Sequence, residues 1–316
     1  MKSANVAPGR EMAMQDNRAY AYYPGCSLHA TAKEYDLSAR AICAALGVEL
    51  REVPGWNCCG ASSAHGRDHL LSTTLAARNL ALVEEMGLEE VAVPCAACFN
   101  RLAVAGHELR EDASLAEEVR GVLERPLQGK AKARALLDVV ARDVGTERIR
   151  DAVVRPLEGL KVACYYGCLL VRPPRALETD ERVEDPQSLD ELVRAMGGEP
   201  VEWPHKTECC GAGLSLTRTD VVRKLSADIL KMARECGADC IVCACPLCMT
   251  NLDMRQGEAL KAAGERFRIP VLYFTELMAL AMGIPDAERW LKMHFVDASA
   301  VARRETAAAN GMEAEQ

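Results

Sequence analysis

The chain has few aromatic residues, no excess of positive charge and no long apolar run. Aromatic residues make up 4% of it and its formal net charge is −8. It therefore lacks both the stacking side chains and the Lys/Arg-rich surface that nucleic-acid-binding proteins use. No apolar stretch approaches the ~18 residues that a membrane-spanning helix requires. We expect neither a nucleic-acid partner nor a membrane span.

Two motifs that would let a redox protein collect electrons by itself are also missing. No glycine-rich dinucleotide fingerprint follows a predicted strand. The closely spaced cysteines of an ordinary ferredoxin are absent as well. If this chain carries out redox chemistry, we expect it to exchange electrons with another protein.

Cysteine, in contrast, is abundant, with 15 residues in a chain of 316. The first 18 residues are polar and lack the apolar core of a signal peptide, so we expect a mobile leader over 1–18 and a cytoplasmic protein. Cysteines remain thiols in that compartment. Clustered thiols there indicate metal ligands or redox groups rather than structural disulfides.

Ten of the cysteines form two matched sets. Each set has one cysteine after a glycine, then a Cys-Cys-Gly, then a Cys-x-x-Cys. The first set is Cys26, Cys58, Cys59, Cys95 and Cys98, and the second is Cys168, Cys209, Cys210, Cys245 and Cys248. The segments between the motifs hold 31 and 35 residues in the first set, and 40 and 34 in the second. A repeat this long indicates a duplicated domain rather than a solenoid.

Predicted strands alternate with predicted helices through both sets, which is typical of βαβ units. The sequence therefore predicts an α/β fold of two duplicated βαβ-type parallel-sheet halves related by a pseudo-twofold axis, with a helical connector. The predicted segments are a first cysteine domain over 19–107, a connector of two helices over 108–158, a second cysteine domain over 159–298 and a disordered tail over 299–316. The connector could also be a docking surface for a partner.

Each cysteine motif comes directly after a predicted strand. Ligands of parallel sheets collect outside the carboxyl ends of the strands, so five thiols can meet at one point in each half. Gly60 and Gly211, which follow the double cysteines, would let the backbone approach an inorganic group closely. Zinc takes four ligands and leaves the fifth thiolate without a role, so a multi-iron cluster is favoured. Structural zinc and a redox dithiol stay open as alternatives.

The motifs resemble the CCG-domain family, in the tandem form of the B subunit of heterodisulfide reductase. The resemblance covers about residues 20–298 and rests on the two cysteine sets and on strings that are similar to the bacterial branch, Tyr22-Tyr23-Pro24-Gly25-Cys26-Ser27, Tyr165-Tyr166-Gly167-Cys168-Leu169-Leu170-Val171-Arg172-Pro173-Pro174 and Asn251-Leu252-Asp253-Met254-Arg255-Gln256. The intervals of 40 and 34 residues in the second half depart slightly from the family pattern. That departure puts the loop lengths in doubt more than the ligands.

The resemblance implies a specific chemistry. In that family each half holds a non-cubane [4Fe–4S] cluster, and the clusters cleave or form a disulfide between two thiol cofactors. It implies that all ten cysteines of the two sets are cluster ligands. It also implies two protein partners in the complex, one flavin-bearing and one ferredoxin-like, and a small disulfide or thiol substrate.

Two other functions remain possible from the sequence. The chain could be an electron-relay subunit of a flavin dehydrogenase of the lactate, glycolate or succinate type, although such subunits usually carry ferredoxin motifs or sit beside a dehydrogenase. It could also be a non-enzymatic scaffold with two structural zinc sites.

Several residues outside the two sets are secondary candidates. His65 and His205 flank the double-cysteine loops and could deliver protons to a departing thiolate, since histidine titrates near neutral pH. Cations near the same loops could bind an anionic thiol cofactor. They are Arg101, Arg172, Arg175 and Lys206. Cys164 and Cys243 could contact the ligands or fill the core, and we expect Cys43, Cys236 and Cys240 to be buried small apolar residues.

Overall fold

The protein folds as two four-stranded parallel sheets flanked by helices. The computed structural model describes residues 18–61 and 64–303. The strands are β1 Arg18–Tyr22, β2 Val48–Glu52, β3 Glu90–Val93, β4 Lys132–Ala135, β5 Lys161–Tyr165, β6 Glu199–Pro200, β7 Cys240–Cys243 and β8 Val271–Tyr273. Their order is β2-β1-β3-β4 in the first sheet and β6-β5-β7-β8 in the second, with every neighbouring pair parallel. The matching orders confirm the predicted α/β fold of two similar halves.

Helices connect the strands in both halves. Those of the first half and the connector are α1 Gly25–Ala30, α2 Lys33–Ala45, α3 His69–Glu85, α4 Ala96–Glu111, α5 Ala113–Val122, α6 Leu136–Asp138 and α7 Thr146–Ala152. Those of the second half are α8 Pro174–Leu177, α9 Ser188–Ala195, α10 Thr219–Glu235, α11 Pro246–Met249, α12 Gln256–Ala262, α13 Phe274–Ala281 and α14 Ala287–Leu291. Helices α6 and α11 continue as π-helical turns over Val139–Val144 and Thr250–Met254.

The predicted connector contributes a strand that the sequence did not reveal. Strand β4 lies within the segment expected to hold only helices, and it pairs with β3 at the edge of the first sheet. Its sequence, Lys-Ala-Arg-Ala, has no β-branched or aromatic residue, so local propensity gives no strand signal there. The carboxylate of Glu84 accepts hydrogen bonds from the backbone N–H groups of Gln128 and Lys130 and thereby anchors the approach to β4. Tertiary contacts, not propensity, make this strand.

Two further differences are local. Strand β6 is shorter than the strand expected over residues 200–203. The N–H groups of Glu199 and Val201 donate to β5, so the nitrogen of Pro200 faces away from the sheet, as is usual for proline on an edge strand. Of the predicted tail, the structure describes residues 299–303, where Val301 is buried. The rest of that tail, and the predicted leader except for Arg18, lie outside the described residues.

The two halves share one continuous hydrophobic core. The rings of Tyr35 on α2 and Tyr273 at the end of β8 stack with centroids 4.0 Å apart. Beside them the buried hydroxyls of Ser38 and Thr275 are 2.6 Å apart. The halves therefore hold each other in a fixed arrangement. Over residues 18–61 and 64–303, no helix is both long enough and apolar enough to cross a bilayer.

Candidate metal centre

Every cysteine of the two sets follows the carboxyl end of a strand. Three strands in each sheet are adjacent, so their following loops meet at one edge. Cys26 lies in α1, after β1, and the double cysteine lies in the loop after β2. Cys95 is the residue that precedes α4, after β3, and Cys98 lies in the first turn of that helix. The second half repeats this placement with Cys245 before α11.

The structure brings thiols of each set into contact. In the first half the sulfurs of Cys59 and Cys98 are 3.2 Å apart. In the second half the equivalent sulfurs of Cys210 and Cys248 are 3.6 Å apart. All fifteen cysteines are free thiols, so none of these contacts is a disulfide. Contact between free sulfurs from separate loops is what a shared inorganic ligand requires.

Both sets are open on one side and buried on the other. In the first half Cys26 and Cys58 are exposed, whereas Cys59 is buried. In the second half Cys209 is exposed and Cys210 is buried. A group held here would be anchored in the core and reachable by a substrate or a partner protein from outside.

Two glycines leave room for the sulfurs. Gly25 has φ +71°, and a Cβ added there would lie 3.0 Å from the sulfur of Cys98. Gly167 is its equivalent, with φ +66° and a Cβ position 3.3 Å from the sulfur of Cys248. Both conformations belong to the left-handed region that glycine adopts without strain. The Gly-Cys dipeptides therefore form matched cradles, one against each Cys-x-x-Cys.

A repeated tyrosine fixes each double-cysteine loop. The hydroxyl of Tyr23 donates to the carbonyl of Asn57, and that of Tyr165 donates to the carbonyl of Glu208, both at 2.7 Å. Both carbonyls belong to the residue directly before the double cysteine. In the sequence these tyrosines belong to the family strings, and their recurrence three residues before Cys26 and Cys168 is a signal that could identify them.

The electrostatics favour a thiolate at one cysteine of each double-cysteine motif, whereas the neighbouring thiols of Cys58, Cys98 and Cys168 have raised pKa values because they hydrogen-bond to that thiolate and are removed from water. Hydrogen bonds from the thiols of Cys58 and Cys98 lower the pKa of Cys59 well below its usual range, against the effect of burial. A hydrogen bond from Cys168 lowers the pKa of Cys209 to about 6. The thiolate is the form that binds metals.

The two sets lie close to each other. Cys248 lowers the pKa of Cys245 most strongly, and Cys95, from the other half, is near enough to lower it further. Cys95 and Cys245 occupy equivalent positions in the two halves, so a pseudo-twofold axis passes between them. The side-chain amide of Asn100, on α4, reinforces this junction by donating to the carbonyls of Leu169 and Arg172 in the second half.

These residues fit an iron–sulfur cluster in each half. The donors are all soft thiols, the cradles are lined by positive-φ glycines, and Cys95 and Cys245 stand at helix N-termini, where backbone N–H groups favour anions. In the described parts of the chain, no three His, Cys, Asp or Glu side chains are grouped to hold a single metal ion. Ligands of a multi-iron cluster are spread over several metal atoms and need not converge on one point.

The remaining cysteines lie in the core. Cys164 and Cys243 are fully buried in β5 and β7, and the carbonyl of Cys164 accepts a hydrogen bond from the indole of Trp203. Cys43 and Cys240 are also buried, and Cys236 is partly buried with its sulfur 3.9 Å from that of Met232.

The histidine candidates occupy different surroundings. His65 is mostly exposed. The partial removal of its ring from water lowers its pKa, and the nearby positive charge of Arg101 lowers it further. His205 lies over Trp203 with ring centroids 6.3 Å apart. Its Nδ1 is buried and has no hydrogen-bond partner in the described structure. Their role as proton donors stays a prediction.

The cation candidates separate into two groups. Lys206 is buried and pairs with Asp185 and Asp190, both at 2.9 Å, so it stabilises the fold and is not available to a ligand. Arg172 donates to the carbonyl of Thr207 and pairs with Glu184. Arg175 is exposed. Arg101, on α4, is near enough to the double-cysteine loop for its charge to lower the pKa of Cys59.

One polar neighbour of the sulfurs was not predicted from the sequence. The side-chain amide of Asn251 donates to the carbonyl of Cys210 at 3.1 Å and to its sulfur at 3.5 Å. Asn251 comes three residues after Cys248, on the same helical face. That spacing could have identified it.

Comparison with known proteins identifies a domain family and several similar proteins. The profile of the cysteine-rich CCG domain matches residues 20–103 and 162–253. The 8-methylmenaquinol:fumarate reductase membrane anchor subunit of Wolinella succinogenes is 36% identical over 285 residues, which are 89% of this chain and 98% of that one. A protein of Archaeoglobus profundus that is similar to the B subunit of heterodisulfide reductase is 32% identical over 278 residues, 85% of this chain and 92% of its own.

A solved structure supports the fold alone. The crystal structure of a hypothetical protein from Helicobacter pylori aligns with a TM-score of 0.70 at 13% identity. The alignment covers 89% of this chain and 52% of the other, so this chain corresponds to about half of its length.

Proposed function

This chain belongs to the cysteine-rich CCG domain family. We infer that it is an iron–sulfur electron-transfer subunit of the oxidoreductase class. We propose that it is the catalytic subunit of a heterodisulfide-reductase-like complex, which cleaves or forms a disulfide between two thiol cofactors. The observation that carries this proposal is the proximity of the two cysteine sets at Cys95 and Cys245, where Asn100 of α4 is hydrogen-bonded to the second half. Splitting one disulfide takes two electrons. Two adjacent redox sites suit that requirement.

Two non-cubane [4Fe–4S] clusters, one per half, are the proposed cofactors. The residues that would hold them are Cys26, Cys58, Cys59, Cys95 and Cys98 in the first half, and Cys168, Cys209, Cys210, Cys245 and Cys248 in the second. Such clusters supply one-electron steps and iron sites with affinity for sulfur when they are bound.

The protein's own groups would bind and protonate the substrate. Arg101 and Arg175 are the cations best placed for an anionic thiol, because Lys206 and Arg172 are engaged by carboxylates. His65 and His205 flank the double-cysteine loops and would deliver the protons that two product thiols need. Because the chain has no ferredoxin motif or dinucleotide fingerprint, its electrons would pass through a ferredoxin-like partner and a flavin-bearing partner in the complex.

Anaerobic purification with iron and sulfide analysis, followed by EPR before and after thiol addition, tests the cofactor. Turnover is then measured with reduced viologen as the electron donor and a panel of small disulfides that includes oxidised glutathione. Cys59→Ser and Cys210→Ser, tested separately, should each abolish turnover, because each half supplies one of the two electrons. Unchanged turnover in either variant would refute the proposal.

A second candidate function is an electron relay for a quinol-linked flavoprotein reductase. The 36% identity to the fumarate reductase protein, over nearly all of that chain, favours it. The same protein preparation separates the two. Reoxidation of the reduced protein by small disulfides supports the disulfide reaction, whereas reduction by a menaquinol analogue without any reaction with disulfides supports the relay.

A further inference from the structure

The two halves differ in charge at positions that their duplication makes equivalent. Arg101 comes three residues after Cys98, and its counterpart Asn251 comes three residues after Cys248. A side chain three positions along a helix lies on the same face. Asn251 donates to the sulfur of Cys210 in its half, and Arg101 stands at the equivalent place on α4, near enough to Cys59 for its charge to lower the pKa of that thiol.

Arg101 brings a full positive charge to the first site. The sulfur of Cys98, one turn before it, is 3.2 Å from that of Cys59. The Arg101 guanidinium is half-buried and donates to the side-chain oxygen of Asn100 at 2.7 Å. Asn100 is fully buried and bonded to the backbone of the second half. Asn100 thus restrains the position of Arg101. The negative groups that act on Arg101 are Cys59 and Glu108, and Glu108 lies about two helical turns further along α4.

Asn251 brings a neutral donor to the second site. Its amide donates to the carbonyl and sulfur of Cys210, and its oxygen lies 3.2 Å from the hydroxyl of Ser215. The amide hydrogen bond satisfies the sulfur without adding a charge. The pair Arg101 and Asn251 therefore makes the two sites unequal by one unit of charge.

Two other equivalent positions differ in the same direction, whereas Lys206 and Arg172, the additional cations of the second half, are each paired with carboxylates. The residue before the double cysteine is Asn57 in the first half and Glu208 in the second. The helices α3 and α10 have equal lengths and align Arg78 with Asp228. Arg78 donates to the side chain of Asn57 and so stands beside the first loop. Glu208 is exposed and therefore screened by salt, which leaves the half-buried Arg101 as the strongest difference.

Adding an electron to a metal–thiolate site increases its negative charge, and a nearby buried cation stabilises the reduced form. Net charge and hydrogen bonds to the sulfurs are the terms by which proteins set cluster potentials. We propose that the two sites have different reduction potentials and that Arg101 makes the first site the easier one to reduce. A single electron that enters the protein then resides mainly in the first half.

This inference rests on the proposed cluster in each half, but not on the disulfide reaction. It predicts an order of events for a two-electron reaction. The site of the first half accepts an electron before the site of the second half. Once both sites are reduced, the second site is therefore the stronger reductant. Arg101 acts through its positive charge on the first site and need not touch the substrate.

The test is an EPR-monitored redox titration of anaerobically reconstituted protein with dithionite and mediators, in the absence of any disulfide. The wild type should show two components of different potential. Arg101→Gln should make the higher one at least about tenfold harder to reduce, a shift of ~59 mV for a one-electron couple. Arg101→Lys keeps the charge and should shift it less. Arg150→Gln removes an equal charge from the exposed face of α7 and should shift neither component.

Each component is assigned with a double variant, Cys245→Ser with Cys248→Ser, which lacks two thiols of the second site. Asn251→Asp supplies a second arm by making the lower component harder still to reduce. One potential in the wild type, or an unmoved higher component in Arg101→Gln at full iron content, would overturn the inference. If disulfide turnover is absent while the potentials behave as described, only the disulfide reaction is refuted.

Discussion

Substituting Gly25 with alanine should empty the first site while leaving the second intact. The added Cβ would lie 3.0 Å from the sulfur of Cys98 and 3.3 Å from the ring of Tyr23. Both neighbours are buried and cannot withdraw freely, so overpacking adds about 1–3 kcal/mol to the cost. The φ of +71° adds about 1–2 kcal/mol more, because an alanine is strained there. The cheapest relief is displacement of Cys98, and that removes a proposed ligand.

Gly87 provides a matched control for the backbone strain that an alanine has at positive φ. It has φ +70°, and an added Cβ would meet nothing within 4 Å. Gly87→Ala should therefore lower the free energy of unfolding by the strain alone and keep its iron. Gly167→Ala, with its Cβ 3.3 Å from the sulfur of Cys248, should affect the second site more mildly.

The assay is iron and acid-labile sulfide per chain after anaerobic reconstitution, with thermal unfolding measured in parallel. Gly25→Ala should bind about half of the wild-type iron, because one of two sites is lost. If Gly25→Ala and Gly87→Ala bind equal amounts of iron, Cys98 does not contribute as the cradle geometry requires, and the assignment of that site would be wrong.

Other predictions concern buried charge and proton delivery. Burial alone would lower the pKa of His294, but Glu276 and Asp253 raise it to about 10. His294→Gln should lower the free energy of unfolding by about 3–5 kcal/mol, since it leaves buried carboxylates unpaired, and urea unfolding at pH 6 measures this. Because that folded-state pKa lies above the unfolded value near 6.5, the stabilisation is complete below pH 6.5 and declines as the pH rises through 10. A wild-type unfolding midpoint that stays flat from pH 6.5 to 10 would contradict it. His65→Gln and His205→Gln should change the pH–rate profile of disulfide turnover; unaltered profiles in both would eliminate them as proton donors.

Much of the site could be predicted from the sequence because its candidate ligands lie in short motifs with fixed spacing. The double cysteines, the Cys-x-x-Cys motifs and the Gly-Cys dipeptides are short, and each follows a strand that the alternation of elements predicts. Asn251 and Tyr23 each keep a fixed spacing from a cysteine, but spacing alone does not reveal that their side chains bind the double-cysteine loops. Lys206 was considered as a ligand for an anion, but the buried Asp190 that engages it is close in space rather than in the motif.

The sequence by itself determined the duplication, the parallel α/β halves and the candidate ligands, since these depend on periodicity and spacing that each half repeats. Only the tertiary structure decided that β4 completes the first sheet, because its Lys-Ala-Arg-Ala residues acquire strand geometry from pairing with β3 and not from their own propensity. It also decided that Cys95 lies close to Cys245. These two residues are about 150 positions apart in the sequence, and they come together only once the two halves have packed into one core.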